Sequence, residues 1–135
     1  MEALNIEKTE FTPQVILDGT VLKFEISGES RPENTGKFYD PIIKWLEQYE
    51  SVLFWQKNNF GKQNRMMFDF RLEYFNSTSA KYIMDILVIL DKFFTGGYDI
   101  VVTWHFDNLD TDMKEAGEEF ARLVNVPFEF KTIEG

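Results

Sequence analysis

The chain alternates apolar and polar residues in some stretches and repeats at helical spacing in others. In QVILDGTVLKFEIS (14–27) two short alternating runs flank Asp18-Gly19, a dipeptide suited to a hairpin turn. In the second run Leu22, Phe24 and Ile26 alternate with Val21, Lys23 and Glu25, which predicts a half-buried strand. Gly28 and Pro32 interrupt the pattern in SGESRPEN (27–34). Ile42, Trp45, Leu46, Tyr49 and Leu53 then predict a helix over roughly 37–54, with Pro41 in its first turn, where a missing N–H costs little. In RMMFDFRLEYF (65–75) Phe68, Phe70, Leu72 and Tyr74 alternate with Asp69, Arg71 and Glu73, a second half-buried strand. A helix follows to about Phe94 and stops at Gly96-Gly97. YDIVVTWHF (98–106) reads as a strand with Ile100, Val102, Trp104 and Phe106 on one face. DNLDTDMKEAGEEFARLV (107–124) reads as a third helix, its acidic residues at the dipole's positive end and Met113, Ala116, Gly117, Phe120 and Leu123 as its inner stripe. PFEFKTI (127–133) closes the chain as a short strand, and residues 1–12 read as a loose lead-in to a single domain over 1–135.

The predicted order is β-β-α-β-α-β-α-β. Strands alternating with helices imply an α/β fold with a mostly parallel mixed sheet and one antiparallel hairpin partner at its start. Strands covered on both faces read as unbroken apolar runs, whereas these alternate. The helices are therefore expected mainly on one face, unlike a doubly wound nucleotide-binding sheet. Parallel crossovers would gather GESRPEN, NSTSAK and FDNLDTD at one edge of the sheet, where ligands and partners meet such domains.

Composition narrows the function classes. The chain has 135 residues, 44% hydrophobic and 16% aromatic, including 14 Phe, so it can bury a core built on rings. With no Cys, disulfides, thiolate metal sites and a Cys nucleophile are excluded. The formal net charge of −9 opposes nucleic-acid binding and favours basic protein partners. Lys57, Lys62 and Arg65 read as a solvated loop. The N-terminus lacks the pattern of a signal peptide, and no apolar run approaches the ~20 residues of a membrane helix. The expectation is a cytoplasmic protein with no membrane or nucleic-acid partner, no cofactor and no metal.

Candidate chemistry concentrates in YFNSTSAKYIMD (74–85), where Ser77, Thr78 and Ser79 stand in a row between a strand and a helix. Asn76 or Ser77 must cap that helix, which accounts for one or two of these residues. A hydroxyl at a helix start is also a place for a phosphate, which meets free N–H groups and a favourable dipole, with Lys81 one turn beyond Ser77. His105, the one histidine, reads as a surface or edge residue rather than a triad member. DNLDTD lacks the Gly and closing Glu of a calcium loop and reads as an acidic first turn. Glu29 and Glu33 could form a carboxylate pair, but a turn leading into a helix fits them better. Phe54, Trp55 and Phe60 are either core or an exposed docking patch. There is no P-loop or dinucleotide fingerprint.

Three segments, ISGESRPEN (26–34), RLEYFNSTSAKYIMD (71–85) and WHFDNLDTDMKEAGEEF (104–120), together resemble the SiaC family of bacterial regulatory phosphoproteins, and the similarity runs from about Thr12 to Phe130. The resemblance implies a STAS-like fold, related to the anti-sigma-factor antagonists, and a switch protein without catalysis of its own. It implies phosphorylation of the hydroxyl directly after Asn76 by a Ser/Thr kinase, removal by a PP2C-type phosphatase, and binding of a diguanylate cyclase by the unphosphorylated form, with effects on cyclic di-GMP and biofilm. By register the acceptor is Ser77, where the family usually has Thr; Thr78 is the alternative. Asn76, Ser79 and Lys81 would surround the phosphosite, and Glu29, Ser30, Pro32, Glu33, Asn34 and Asp107 would contact partners. Arg31 stands where relatives are often aromatic. The competing reading is a small hydrolase or ligand-binding domain at the same edge, using Glu29, Glu33 or His105.

Overall fold

The computed structural model describes residues 1–133. Nine elements follow in order: β1 (Leu4–Ile6), β2 (Gln14–Asp18), β3 (Lys23–Ser30), α1 (Thr35–Phe60), β4 (Met66–Phe75), α2 (Ser77–Thr95), β5 (Ile100–Asp107), α3 (Thr111–Arg122) and β6 (Phe128–Ile133). The strands form one six-stranded sheet in chain order. The β1–β2 and β2–β3 pairs are antiparallel, and β3 through β6 run parallel. Each crossover reaches the adjacent strand in the same direction, so the handedness rule places all three helices on one face.

The core lies between that face and the helices. Phe24, Ile26, Phe68, Phe70, Val102 and Trp104 from the sheet meet Tyr39, Ile42, Leu46, Tyr49, Ile83, Ile86, Leu87 and Leu90 from α1 and α2. Burial of each large apolar side chain contributes about 1.5–3 kcal/mol. Along β4 the opposite face carries Asp69, Arg71 and Glu73. Arg71 pairs there with Glu25 at 3.2 Å. β5 departs from simple alternation, because Val101, Thr103 and His105 on the open face are buried as well. Val101 and Thr103 are short and stand in register between Met67, Asp69 and Glu129. His105 is roofed by Asp69, with Nε2 3.2 Å from Oδ1.

Several sequence expectations change. The lead-in is not loose: Leu4–Ile6 adds an edge strand on β2, Trp45 Nε1 donates to the Glu2 carbonyl at 2.8 Å, and the Arg31 N–H donates to the Phe11 carbonyl at 2.8 Å. The hairpin loop is longer than the Asp18-Gly19 dipeptide, since Asp18 pairs with Lys23. Leu22, expected inside, sits in that loop at a φ of 56° and is exposed. α1 extends to Phe60, so Phe54, Trp55 and Phe60 lie on its exposed last turns. In α3, Leu123 is the C-terminal cap and is exposed, not part of the inner stripe.

One irregularity in β3–β4 shapes the functional edge. Gly28 pairs with Leu72, but Glu29 pairs with Tyr74 and Ser30 with Phe75, so β4 carries one extra residue. A bulge of this kind reverses the faces beyond it. Tyr74, expected inward, turns out and is 49% exposed. Phe75 turns in and packs against Trp104 and Phe120, at ring-centroid distances of 6.4 and 6.0 Å. Gly28 adopts a φ of 111° at the bulge, a region that a residue with a Cβ rarely enters.

Ser30 continues the inward series of Phe24, Ile26 and Gly28 along β3, and it ties three elements together. Ser30 Oγ lies 2.6 Å from the Tyr39 hydroxyl and 2.8 Å from Ser79 Oγ, linking β3 to α1 and α2. The Ser30 carbonyl accepts from Ser79 Oγ at 3.0 Å and from the Asn76 N–H at 3.1 Å. Burial holds the Tyr39 hydroxyl above the usual tyrosine range, against the opposing effect of its bonds to Ser30 and Ser79.

Two expected outcomes follow from this packing. A Cβ on Gly117 would lie 2.4 Å from Trp104 Cδ1, beneath an indole whose Nε1 already donates to the Met113 carbonyl at 2.9 Å. Gly117→Val should therefore destabilise the fold by about 1–3 kcal/mol through overpacking, and an unchanged thermal midpoint would show that α3 is not pressed onto Trp104. Tyr39→Phe removes one member of the hydroxyl cluster and should cost about 1–2 kcal/mol in denaturant unfolding. Because the folded Tyr39 pKa is raised, its contribution is fully present below the unfolded value of about 10 and declines as pH rises above it. Wild-type stability should thus fall more steeply than that of Tyr39→Phe in the alkaline limb of a pH series.

Candidate functional site

The three segments expected at one edge do meet there. The β3–α1 and β4–α2 connections are joined by the Asn76 N–H to the Ser30 carbonyl, and by Thr35 Oγ1 to Thr78 Oγ1 at 3.2 Å. The β5–α3 connection approaches the end of β4 across a groove of about 370 Å³, lined by Glu73, Tyr74, Phe75, Asp110, Asp112 and Met113, among others.

Asn76 caps α2 from an extended conformation, and its Oδ1 accepts from the Ser79 N–H at 2.9 Å. Its carbonyl accepts from the Ala80 N–H at 3.0 Å. The N–H groups of Ser77 and Thr78 precede these bonds and have no intrahelical partner by helix geometry. Ser77, Thr78 and Ser79 have three different fates. Ser79 is fully buried in the cluster with Ser30 and Tyr39. Thr78 is exposed, but its Oγ1 donates to Asn76 Oδ1 at 3.1 Å and accepts from Thr35. Ser77 is exposed, and its hydroxyl has no hydrogen-bond partner among the described residues. Lys81 is exposed one turn further on, its Nζ lying 4.8 Å from the Tyr82 ring centre.

The residues expected to contact partners divide by burial. Glu29 pairs with Arg31 at 3.1 Å, and Arg31 also lies 4.9 Å from the Phe11 ring centre. Glu33 and Asn34 are exposed, and Asn34 caps α1 by accepting from the Lys37 N–H at 3.1 Å. Ser30 and Pro32 are buried and offer no side chain to a partner. Ser30 instead holds α2 in place from below. Asp107 is exposed and bonds the Leu109 N–H at 2.9 Å, while Asp110 caps α3 through the Met113 N–H at 3.0 Å. The acidic run DNLDTD thus makes a turn and a cap, as its composition suggests.

His105 corrects the expectation of a surface histidine, because it is 5% exposed. Its bond to Asp69 lies on the open face of the sheet, whereas Ser79 packs on the helix face, so His105 and the hydroxyl run do not converge. Glu29 is engaged by Arg31. Among the described residues, no group of three His, Asp or Glu side chains is placed to hold a metal ion. No described helix is long and apolar enough to cross a membrane. Sequence reading missed Tyr39, Thr35 and the groove beside Tyr74. The adjacent aromatics Tyr74 and Phe75 break strict alternation and are the one sequence sign of the bulge.

Comparison with known proteins bears on this edge. Residues 6–133 match the model of the SiaC family regulatory phosphoproteins. An uncharacterized protein of Pseudomonas aeruginosa strain UCBPP-PA14 is 30% identical over 128 residues, covering 95% of this chain and 94% of that one. The crystal structure of apo-SiaC from Pseudomonas aeruginosa superposes with a TM-score of 0.82 at 30% identity, over 97% of this chain and 99% of that one. The SiaC chain crystallised with the diguanylate cyclase SiaD, which it activates, gives a TM-score of 0.83 at 29% identity, over 96% of this chain and 99% of its own. The mixed α/β fold, the extent of the match and the relatives agree: this chain belongs to the SiaC family of regulatory phosphoproteins.

Proposed function

We propose that this chain is a phosphorylation-switched binding module, without catalysis of its own, whose acceptor is Ser77. The observation that carries the reading is the free, exposed Ser77 hydroxyl on an otherwise fastened helix mouth. Residues on both sides of it are held, Asn76 by Ser30 and Ser79 by Ser30 and Tyr39. A kinase can therefore reach the hydroxyl without opening the fold. Thr78 is the poorer acceptor, because its oxygen is already shared with Asn76 and Thr35.

A phosphate on Ser77 adds about −1.5 to −2 charges beside unpaired N–H groups at the positive end of the helix dipole. The helix start tolerates that charge, so modification alters the surface rather than melting α2. In this reading a Ser/Thr kinase adds the group in the cytoplasm and a PP2C-type phosphatase removes it. The unphosphorylated edge binds a diguanylate cyclase, as the likeness to the SiaC of the SiaD complex suggests. Glu29, Glu33, Asn34, Asp107 and the groove beside Tyr74 supply the contact surface.

Co-expression with the kinase should add the mass of one phosphate to the intact wild-type chain and to Thr78→Ala, but not to Ser77→Ala. Ser77→Ala should retain the cyclase in pull-downs, and Ser77→Glu should weaken it by about tenfold or more through charge at the contact edge. Modification that persists in Ser77→Ala, or equal binding by both variants, would remove Ser77 from the switch.

A further inference from the structure

We propose that two copies of this chain pair through the outer edge of β6, antiparallel about a two-fold axis at Phe130, to form one continuous sheet. This goes beyond the phosphorylation switch and does not depend on it.

The backbone phase of β6 leads to this register. Val102 donates to the Pro127 carbonyl at 2.9 Å and stands in register with Phe128. In a parallel ladder, a residue facing its neighbour bonds to the positions on either side of its register partner. Pro127, Glu129, Lys131 and Ile133 therefore turn their main-chain groups toward β5, and Phe128, Phe130 and Thr132 turn theirs outward. Among the described residues no strand pairs with that outer edge. An edge of this kind is a template for another chain unless its side chains oppose pairing.

Here the side chains favour a second copy. An antiparallel partner must match outward residues with outward residues. Of the registers that do so, the one centred on Phe130 uses the whole run from Phe128 to Thr132. It sets Phe130 against Phe130, Phe128 against Thr132, and Glu129 against the second copy's Lys131. The charge pair occurs twice by symmetry, at non-hydrogen-bonded positions, where opposing side chains are closest. It lies on the open face, since the even-numbered residues face the helices, as the Phe128–Trp104 stack shows. On the helix face Phe130, 38% exposed and 5.9 Å from Phe128 between ring centres, would meet its symmetry mate. An antiparallel dyad also points the two Ser77 edges to opposite ends of the assembly, so pairing leaves both edges open.

Sedimentation equilibrium of the full chain across a concentration series tests this. Wild type should show a reversible dimer. Glu129→Lys and Lys131→Glu should each weaken it by about tenfold, because each places like charges opposite one another twice. The double variant should restore the wild-type constant. Thr132→Pro deletes an outward N–H while sparing the bonds to β5, so it should abolish the dimer with its circular-dichroism melt retained. A wild type that stays monomeric at every concentration would overturn the proposal. A dimer indifferent to the charge reversals, or a double variant no tighter than the singles, would overturn it equally.

Discussion

The functional edge depends on one buried contact, the meeting of Ser30 with Tyr39 and Ser79. A parallel strand pair followed by a helix leaves the first turn of that helix with unpaired donors at a sheet edge. Three buried hydroxyls satisfy one another here, and the Ser30 carbonyl takes both the Asn76 N–H and the Ser79 hydroxyl. Unpaired polar groups in the same place would be costly; paired, they fix the geometry. The result is a rigid frame around a single free oxygen, that of Ser77.

The bulge opposite Gly28 shapes the β4 side of the same edge. Continued alternation would have paired Ser30 with Tyr74 and left Phe75 on the open face. With one residue inserted in β4, Phe75 enters the core against Trp104 and Phe120, and Tyr74 is released to line a groove with Glu73, Asp110 and Asp112. A single backbone irregularity therefore seats Phe75 in the core and also builds an apolar-floored, acid-rimmed surface beside the acceptor. Bulges that re-aim side chains next to functional sites are a recurrent device.

Much of this was legible in the residues. The period change near Phe38, the Asn76 cap, the Gly96 stop and the acidic entry to α3 each follow from local chemistry, and local chemistry is what a sequence shows directly. What escaped prediction depended on contacts between distant positions. Nothing local distinguishes Leu4–Ile6 from a flexible lead-in until β2 pairs with it. In RMMFDFRLEYF only the adjacent aromatics Tyr74 and Phe75 hint at the extra residue, whose place is set by the pairing of Leu72 with Gly28 and of Tyr74 with Glu29, so simple alternation puts Tyr74 on the wrong face. Ser79 and Ser77 look alike in sequence, and only Ser30 and Tyr39, 49 and 40 positions before Ser79, separate a buried hydroxyl from a free one. His105 reads as an edge residue until Asp69 is seen to cover it.

The frame also limits how a switch at this edge can work. Asn76 and Ser79 are fastened, and α2 continues into the core through Ile83, Ile86, Leu87 and Leu90. A charge on Ser77 falls where the helix dipole favours it, so the covalent change has little leverage on the fold. A ligand shifts an equilibrium only through interactions that differ between its states. Two states that share one backbone differ only at their surface, and a partner that discriminates between them must touch the first turn of α2 itself. Glu73, Asp110 and Asp112 already give the neighbouring groove a negative rim, so a phosphate there enlarges an existing field rather than reversing it. Discrimination at this edge therefore rests on the added charge and bulk of the phosphate at the first turn of α2, and not on a reversal of the local field.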